Sequence, residues 1–319
     1  MSLQFRDAQQ ALSFLQQQAQ YVEPQIYEIA YPEIQYPALV PVDTSGNQWA
    51  KSIAFYSSDK VGQANWFNHM ADDVPFADIQ RAKYEQGVEM AAIGYYWTLE
   101  EAGQQAMINA ATGPTLNLVS ERANAARRAS EEFIDRIAFF GDTTKNWTGL
   151  TNDPNVAIIA APADGTGSSA LWSTKSALQM GRDINLMLTG VYTGSLTTEI
   201  ADTVLLPPDR FTALAASVIT NTAISGTMYV MQGNAYTALT GNPLTIRTVR
   251  GLETAGAGGV GRAIAYRRDP QIVKLHLPMP FNFQPIMQAT TLRFDVPGIF
   301  RTGGVEVRRP GSMRYLDGI

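Results

Sequence analysis

Cysteine is absent from the 319 residues. A disulfide framework, a thiolate metal site and a cysteine nucleophile are excluded together. Histidine is nearly absent as well. With His69 and His276 alone, neither a multi-histidine metal cluster nor a histidine relay is expected. Long apolar runs are missing, and no segment reaches the roughly 18 residues that a membrane span needs. Residues 1–20 are rich in glutamine and lack a basic stretch leading into an apolar core, so no signal peptide is expected. The reading is an intracellular, soluble chain without a membrane partner. Charge is sparse at 17%, against 45% hydrophobic residues, which suits a sizeable core and argues against disorder. At about 150 residues per domain, the length allows two domains or one large one with insertions.

The net charge of -5 hides an asymmetry. Residues 1–114 hold 13 acids and 5 bases, residues 115–239 hold 11 and 8, and residues 240–319 hold 5 and 11. Ten of those last eleven bases are arginines, Lys274 being the exception. Arginine offers a planar fork of donors that suits repeated carboxylate pairing. A basic end could instead hold nucleic acid. However, Arg293, Arg301, Arg308 and Arg314 are scattered among strand-like apolar residues and form no run. Pairing with acidic protein surface, in the same subunit or a neighbour, is therefore the expectation.

Phe5, Ala8, Leu12, Leu15 and Ala19 recur at steps of three and four, which predicts a short amphipathic helix. A tandem repeat follows, Glu28-Ile29-Ala30-Tyr31-Pro32 and then Glu33-Ile34-Gln35-Tyr36-Pro37. Proline forces extended geometry on its predecessor, so a straight arm lying on something else is expected. From Trp49 to Thr98 the period becomes two. Trp49, Lys51, Ile53 and Phe55 alternate with small or polar neighbours. On the return, Arg81, Lys83, Glu85 and Glu89 face away from Ala82, Tyr84, Val88, Met90 and Ala92. Two such strands with a polar middle predict a long hairpin-like excursion, which is either functional or binds a partner.

Thr98-Leu99-Glu100-Glu101 fits a capping box and opens a helix to about Ala111, closed by Gly113-Pro114. Val119, Ala123, Ala126, Ala129, Phe133, Ile137 and Phe140 predict one face of a long helix that Gly141 ends. Arg127 with Glu131 and Arg128 with Glu132 lace its other face. Further on, Ser173 is the expected cap of a helix through Val191. A strand over 203–206 leads to a helix begun by Pro208 and reaching Ile219. Strands are expected over 244–249, 263–267, 272–277 and 291–296.

No catalytic constellation emerges, and neither a cofactor nor a metal is expected. Gly256-Ala257-Gly258-Gly259-Val260-Gly261 has dinucleotide-type glycine spacing, but the strand-like Ala263-Ile264-Ala265-Tyr266 follows where that fingerprint needs a helix. Ser57-Ser58-Asp59-Lys60 has serine–x–x–lysine spacing without its companion motifs. The neighbours in Asp72-Asp73 and Glu131-Glu132 point different ways, so neither pair reads as a site. His69 and His276 lack partners at ligand spacing and read as ordinary histidines. Asn146-Trp147-Thr148 is a glycosylation sequon without meaning in an intracellular chain.

The order of elements resembles the major capsid (coat) proteins of tailed bacteriophages, with the Hong Kong ninety-seven-type α+β fold. The segments that carry the likeness are Val40-Pro41-Val42-Asp43 before the excursion and Asp59-Lys60-Val61-Gly62-Gln63-Ala64 near its tip. Asp72-Asp73-Val74-Pro75 begins the return, and Ile137-Ala138-Phe139-Phe140-Gly141-Asp142 and Trp147-Thr148-Gly149-Leu150 follow the long helix. Gly303-Gly304-Val305-Glu306-Val307-Arg308-Arg309-Pro310 and Tyr315-Leu316-Asp317 close the chain. The resemblance implies an N-terminal arm over 1–45, an extended E-loop hairpin over 46–80 and a P-domain with the spine helix over 81–150. It further implies a mixed α/β A-domain over 151–285 and strands returning to the P-domain over 286–319.

The implied function is a subunit that builds the hexamers and pentamers of an icosahedral head around a phage genome, with no enzyme activity. It would be found in the virion and assembled in the host cytoplasm. Inter-subunit contacts are expected at Trp49, Lys60, Trp66, Arg308 and Arg309. The implied partners are other copies, a separate scaffold, a portal, in some phages a decoration protein, and double-stranded DNA touched non-specifically. No fused scaffolding domain is expected before the arm, which is why the implied scaffold is a separate one. Lys51 and Lys60 lie in the expected E-loop, yet no assisting acid is identified, so no cross-link is expected. An encapsulin-like compartment shell and an α/β enzyme using the glycine loop for a nucleotide are the competing readings.

Overall fold

The computed structural model describes residues 31–66, 76–110, 117–220 and 224–319. The helix expected within residues 1–20, residues 28–30 of the tandem repeat, His69, Asp72-Asp73 and Gly113-Pro114 lie outside them. The second half of the repeat is not straight. Pro37 stands in the first turn of a short helix α1 (Tyr36–Leu39), where its missing N–H costs nothing. The amides of Gln35 and Tyr36 both donate to Asp135 Oδ1, at 2.9 and 2.8 Å, and the Tyr36 hydroxyl donates to Glu131 at 2.7 Å. This segment therefore lies on its own chain. Strand β1 (Val42–Asp43) follows.

The excursion forms as two ten-residue strands, β2 (Ser52–Val61) and β3 (Asp78–Gly87), paired antiparallel from Ser52↔Gly87 to Val61↔Asp78. Among the described residues they make a two-stranded sheet that no third strand joins. At about 3.3 Å per residue it is roughly 33 Å long. The expected alternation fails beyond Val88. Val88 is buried, and strand β4 (Glu89–Thr98) turns Ala91, Ile93, Tyr95 and Trp97 inward, leaving Met90 and Ala92 outside. The break shifts the pattern by one residue, and each such shift exchanges the faces. The cause is a change of partner, because β4 leaves the hairpin and pairs along its whole length with a later strand.

The capping box at Thr98 is present. Glu101 N–H donates to Thr98 Oγ1, and the Thr98 amide donates to Glu101 Oε2. It opens α2 (Leu99–Ala110), none of whose residues is buried. Asn117 caps the long helix α3 (Leu118–Phe140), and Gly141 ends it at a φ of 69°. There a Cβ would meet the Trp147 carbonyl oxygen, so glycine is required. The buried stripe of α3 is Ala126, Ser130, Ile134, Ile137, Ala138 and Phe139. Of the expected face, Ala126 and Ile137 are buried, whereas Val119, Ala123, Ala129, Phe133 and Phe140 are half-buried. The stripe is rotated toward Ser130, which faces inward and satisfies its hydroxyl on the Arg127 carbonyl. Arg128 pairs with Glu132 as expected, but Glu131 serves Tyr36.

Strand β5 (Ile158–Ala160) precedes α4 (Ala177–Gly194). The cap of α4 is Ser176, in a full capping box with Gln179, and not Ser173. Ser173 lies in a 3-10 turn that buries Trp172. Then come β6 (Thr203–Leu206), α5 (Pro208–Ala216), α6 (Gly226–Gln232), α7 (Ala235–Thr240) and β7 (Thr245–Thr248). Helix α5 stops at Ala216, short of the expected Ile219. The last part is strand-rich: β8 (Arg262–Tyr266), β9 (Val273–His276), β10 (Met279–Phe283), β11 (Met287–Thr290), β12 (Arg293–Thr302), β13 (Gly304–Val307) and β14 (Met313–Asp317).

Strand β12 outruns the expected 291–296 and passes through Pro297. Pro297 directs its carbonyl to the Gln284 amide, at the gap between β10 and β11, so the ladder to β4 loses no donor. The sheets are ordered β1-β9-β13, β10-β12-β11 with β4 beside β12, and β5-β14-β8-β6-β7. All five residues of β8 are buried. Ile264 and Tyr266 belong to the core of α3, β9 and β13, with Ile134, Phe139, Leu275 and Val305. Ala263 and Ala265 belong to the core under α4, with Met180, Ile184, Met187 and Leu188. One strand thus serves two apolar cores, as a sheet covered on both faces requires.

Candidate assembly surfaces

Local sequence explains why the hairpin stands out from the body. Its strands carry too few apolar residues to cover each other. Tyr56, Val61, Ile79 and Tyr84 are exposed, as are Trp66 and Phe76 beyond the strand ends. Phe55 and Tyr84 stack with ring centroids 5.1 Å apart. Of the residues singled out from sequence, Trp49 lies exposed before β2, Lys60 exposed on β2 and Trp66 fully exposed past it. Exposed aromatic residues gathered on one projection mark an interaction surface.

A chain of charged groups fixes the hairpin's root. Lys274 and Asp43 are hydrogen-bonded and tie β1 to β9. His276, 1% exposed, sits with Nε2 2.6 Å from Glu306 Oε2. Glu306 accepts from Arg308 Nε at 3.2 Å, and the Arg308 guanidinium lies 4.5 Å from the Phe55 ring centroid. Burial pushes the Asp43 carboxyl up, but hydrogen bonds from Lys274 and Ser45 outweigh it and hold the group well below the usual carboxylate range. Glu306 behaves alike. Burial raises it, while the His276 hydrogen bond and the charge of Arg308 lower it further. Sequence spacing missed the His276–Glu306 pair because 30 residues separate the two and β9–β13 pairing brings them together.

The arginine-rich end finds its partners mostly close by. Arg308 bonds Glu306, Arg309 and Arg267 both bond Glu199, Arg293 bonds Asp295, and Arg262 bonds Asp317. Arg301 and Arg314 spend donors on backbone carbonyls. Among the described residues, ion pairing between the last third and the acidic first third runs through Asp43 alone, with Lys274 and His276. The same-subunit branch of the charge expectation is thus realised, chiefly with acids of the middle and last thirds.

The remaining motifs find structural places. The glycine loop closes on itself through the Gly256 amide and the Val260 carbonyl, 2.8 Å apart, and leads into β8. The helix that a dinucleotide site needs is replaced by a strand. Lys175 and Asp183, both fully buried, pair at 2.6 Å, and Trp172 Nε1 donates to the same carboxylate at 2.9 Å. Among the described residues, no group of three or more His, Asp or Glu could hold a metal ion, and no helix is long and apolar enough to cross a membrane.

Comparison with known proteins follows the same line. A family model described as "Major capsid protein" matches residues 62–319. Comparison with curated protein sequences gave no significant match. The capsid of Myoviridae phage XM1 is similar in structure, with a TM-score of 0.78 and 18% identity over 95% of this chain and 98% of that one. A chain from Mycobacterium phage Bobi gives a TM-score of 0.61 and 13% identity over 96% and 97%. A virus-like particle from Pyrococcus furiosus gives 0.50 and 10% over 88% and 91%. The family match spans most of the sequence, and the shared fold covers nearly the whole chain. The chain therefore belongs to the major capsid protein family and has the fold of tailed-phage capsid subunits.

Proposed function

We propose that this protein is the shell-forming subunit of a tailed-phage head, assembling as hexamers and pentamers around double-stranded DNA. The observation that carries the reading is the β2–β3 hairpin, a two-stranded projection with exposed Tyr56, Trp66, Phe76 and Ile79. An isolated two-stranded sheet is marginal in water, so its faces need a neighbour. A surface offered to a neighbour that offers a different one in return closes into rings and shells.

In this reading residues 1–45 are the N-terminal arm, 46–80 the E-loop, 81–150 the P-domain with α3 as its spine, 151–285 the A-domain and 286–319 the returning strands. Trp49, Lys60, Trp66, Arg308 and Arg309 face neighbouring subunits. Assembly takes place in the host cytoplasm with a separate scaffold and a portal. The major capsid protein family match and the similarity to the XM1 capsid favour a phage head over an enzyme-holding compartment. Sedimentation velocity of the protein, alone and co-expressed with a scaffold, tests this. Rings or larger closed species are expected, and a discrete monomer that turns over a small substrate would overturn it.

A further inference from the structure

Asp183 is the one charged residue on the buried stripe of α4, where Met180, Ile184 and Met187 are its neighbours. Its side chain and that of Lys175, just before the helix, are both 0% exposed, with Nζ 2.6 Å from Oδ2. Trp172 Nε1 donates to the same oxygen at 2.9 Å. The other oxygen, Oδ1, is buried and has no hydrogen-bond partner among the described residues. A second carboxylate stands beside the same amine. Asp164 Oδ1 lies 3.1 Å from Nζ, and Arg182 pairs with Asp164 from the solvent side.

A buried ion pair is costly unless its remaining lone pairs are satisfied, and Oδ1 of Asp183 is not. An amide between Nζ and the Asp183 carboxyl would remove both charges and the orphaned oxygen together. The parts for that condensation are in place. The amine is held against the carboxyl it would attack. An indole N–H points at the oxygen that would carry negative charge. A carboxylate within reach of Nζ can move a proton.

We propose that Lys175 and Asp183 condense to an isopeptide bond within one chain, with Asp164 carrying a proton. One proton passes from Nζ to the Asp183 carboxyl, which leaves a neutral amine beside a neutral acid. The amine lone pair forms the Nζ–Cγ bond, and the carbonyl electrons move onto Oδ2, where Trp172 Nε1 stabilises them. Asp164 takes a second proton from Nζ and passes it to Oδ1. The Cγ–Oδ1 bond breaks, and Oδ1 leaves as water with both protons. Oδ2 becomes the amide oxygen, and nothing is oxidised or reduced. The bond ties the turn before α4 to the second turn of that helix, and it stands whether or not the chain builds a shell.

Intact mass spectrometry of the denatured full chain is the test. The wild type should weigh one water less than its sequence. Its tryptic map should give a branched peptide, uncut after Lys175 and carrying Asp183. Lys175→Arg keeps the cation but offers no amine that condenses, so it should have the full sequence mass. Asp164→Ala should form the bond about a hundredfold more slowly. A wild-type chain of full sequence mass, as free subunit and from assembled particles alike, overturns the proposal, and so does a water also missing from Lys175→Arg. The Asp-Gly steps at 164–165 and 317–318 can lose water as succinimides, so a missing water confined to a linear peptide overturns it too. Bond formation at the wild-type rate in Asp164→Ala overturns the role given to Asp164.

Discussion

Arg262 and Asp317 meet across β8 and β14 in a two-pronged pair, Nε to Oδ1 at 2.6 Å and Nη2 to Oδ2 at 2.7 Å. Arg262 Nη1 also donates to the Thr151 carbonyl at 2.7 Å, and the guanidinium lies 4.5 Å from the Tyr315 ring centroid. Both side chains are nearly buried, so removing one partner strands a charge. We expect Asp317→Ala to cost about 3–5 kcal/mol. Arg128→Ala, at an exposed pair on α3, should cost under about 1 kcal/mol. Urea unfolding of the unassembled subunit separates the two. Equal small losses would mean that water reaches the Arg262 site.

On α3, Ala126 is 5% exposed and faces the core, whereas Arg127 points outward. Ala126→Glu would bury an unpaired carboxylate at a cost of several kcal/mol. We expect insoluble or misfolded protein from it, and a change under about 1 kcal/mol from Arg127→Ala. Soluble yield and melting midpoint are the measurements, and comparable damage from both would contradict the assigned face.

Glu101 links the start of α2 to α3. The Arg122 hydrogen bond, then the Thr98 amide, lower its pKa from 4.5 to about 2. A depressed carboxylate contributes stability that is present above its unfolded pKa and lost as pH falls toward the folded one. The loss should therefore fall between pH 4.5 and about 2. Melting midpoints of wild type and Glu101→Gln should converge as pH drops through that window. A constant difference down to pH 2 would contradict the linkage.

The register defines a clean shortening of the hairpin. Replacing residues 57–82 by an Asn-Gly turn keeps the pairs from Ser52↔Gly87 to Tyr56↔Lys83 and the root contact of Phe55 with Arg308. Loop length changes closure entropy slowly, so the subunit should keep its melting midpoint within a few degrees. Assembly should fail. Loss of subunit folding would instead place the hairpin in the core.

Local signals were legible where neighbours in sequence decide the structure. The Thr98–Glu101 box, the strand over 203–206 and the Gly141 stop all form. Some misreadings came where a distant partner decides, others from local hydrogen bonding. Glu89 to Thr98 follow β12 and not the hairpin, which shifts their parity. Ser130 faces inward because its hydroxyl is satisfied locally, which a hydropathy pattern does not register. Ser173 and Ser176 stand three apart, and the turn over Trp172–Thr174 takes up Ser173 and leaves Ser176 as the cap. His276 and Glu306 become neighbours only through strand pairing, so the charge chain at the hairpin root had no signature in spacing. The opposed end charges were visible, but Arg262, Arg267, Arg293, Arg308 and Arg309 pair with acids between residues 199 and 317 and not with the acidic first third.

Negative-stain electron microscopy of the purified protein, co-expressed with its scaffold where the phage supplies one, tests the central claim most directly. We expect closed shells or five- and six-membered rings. Fields of discrete monomers under every condition tried would contradict a shell-forming subunit.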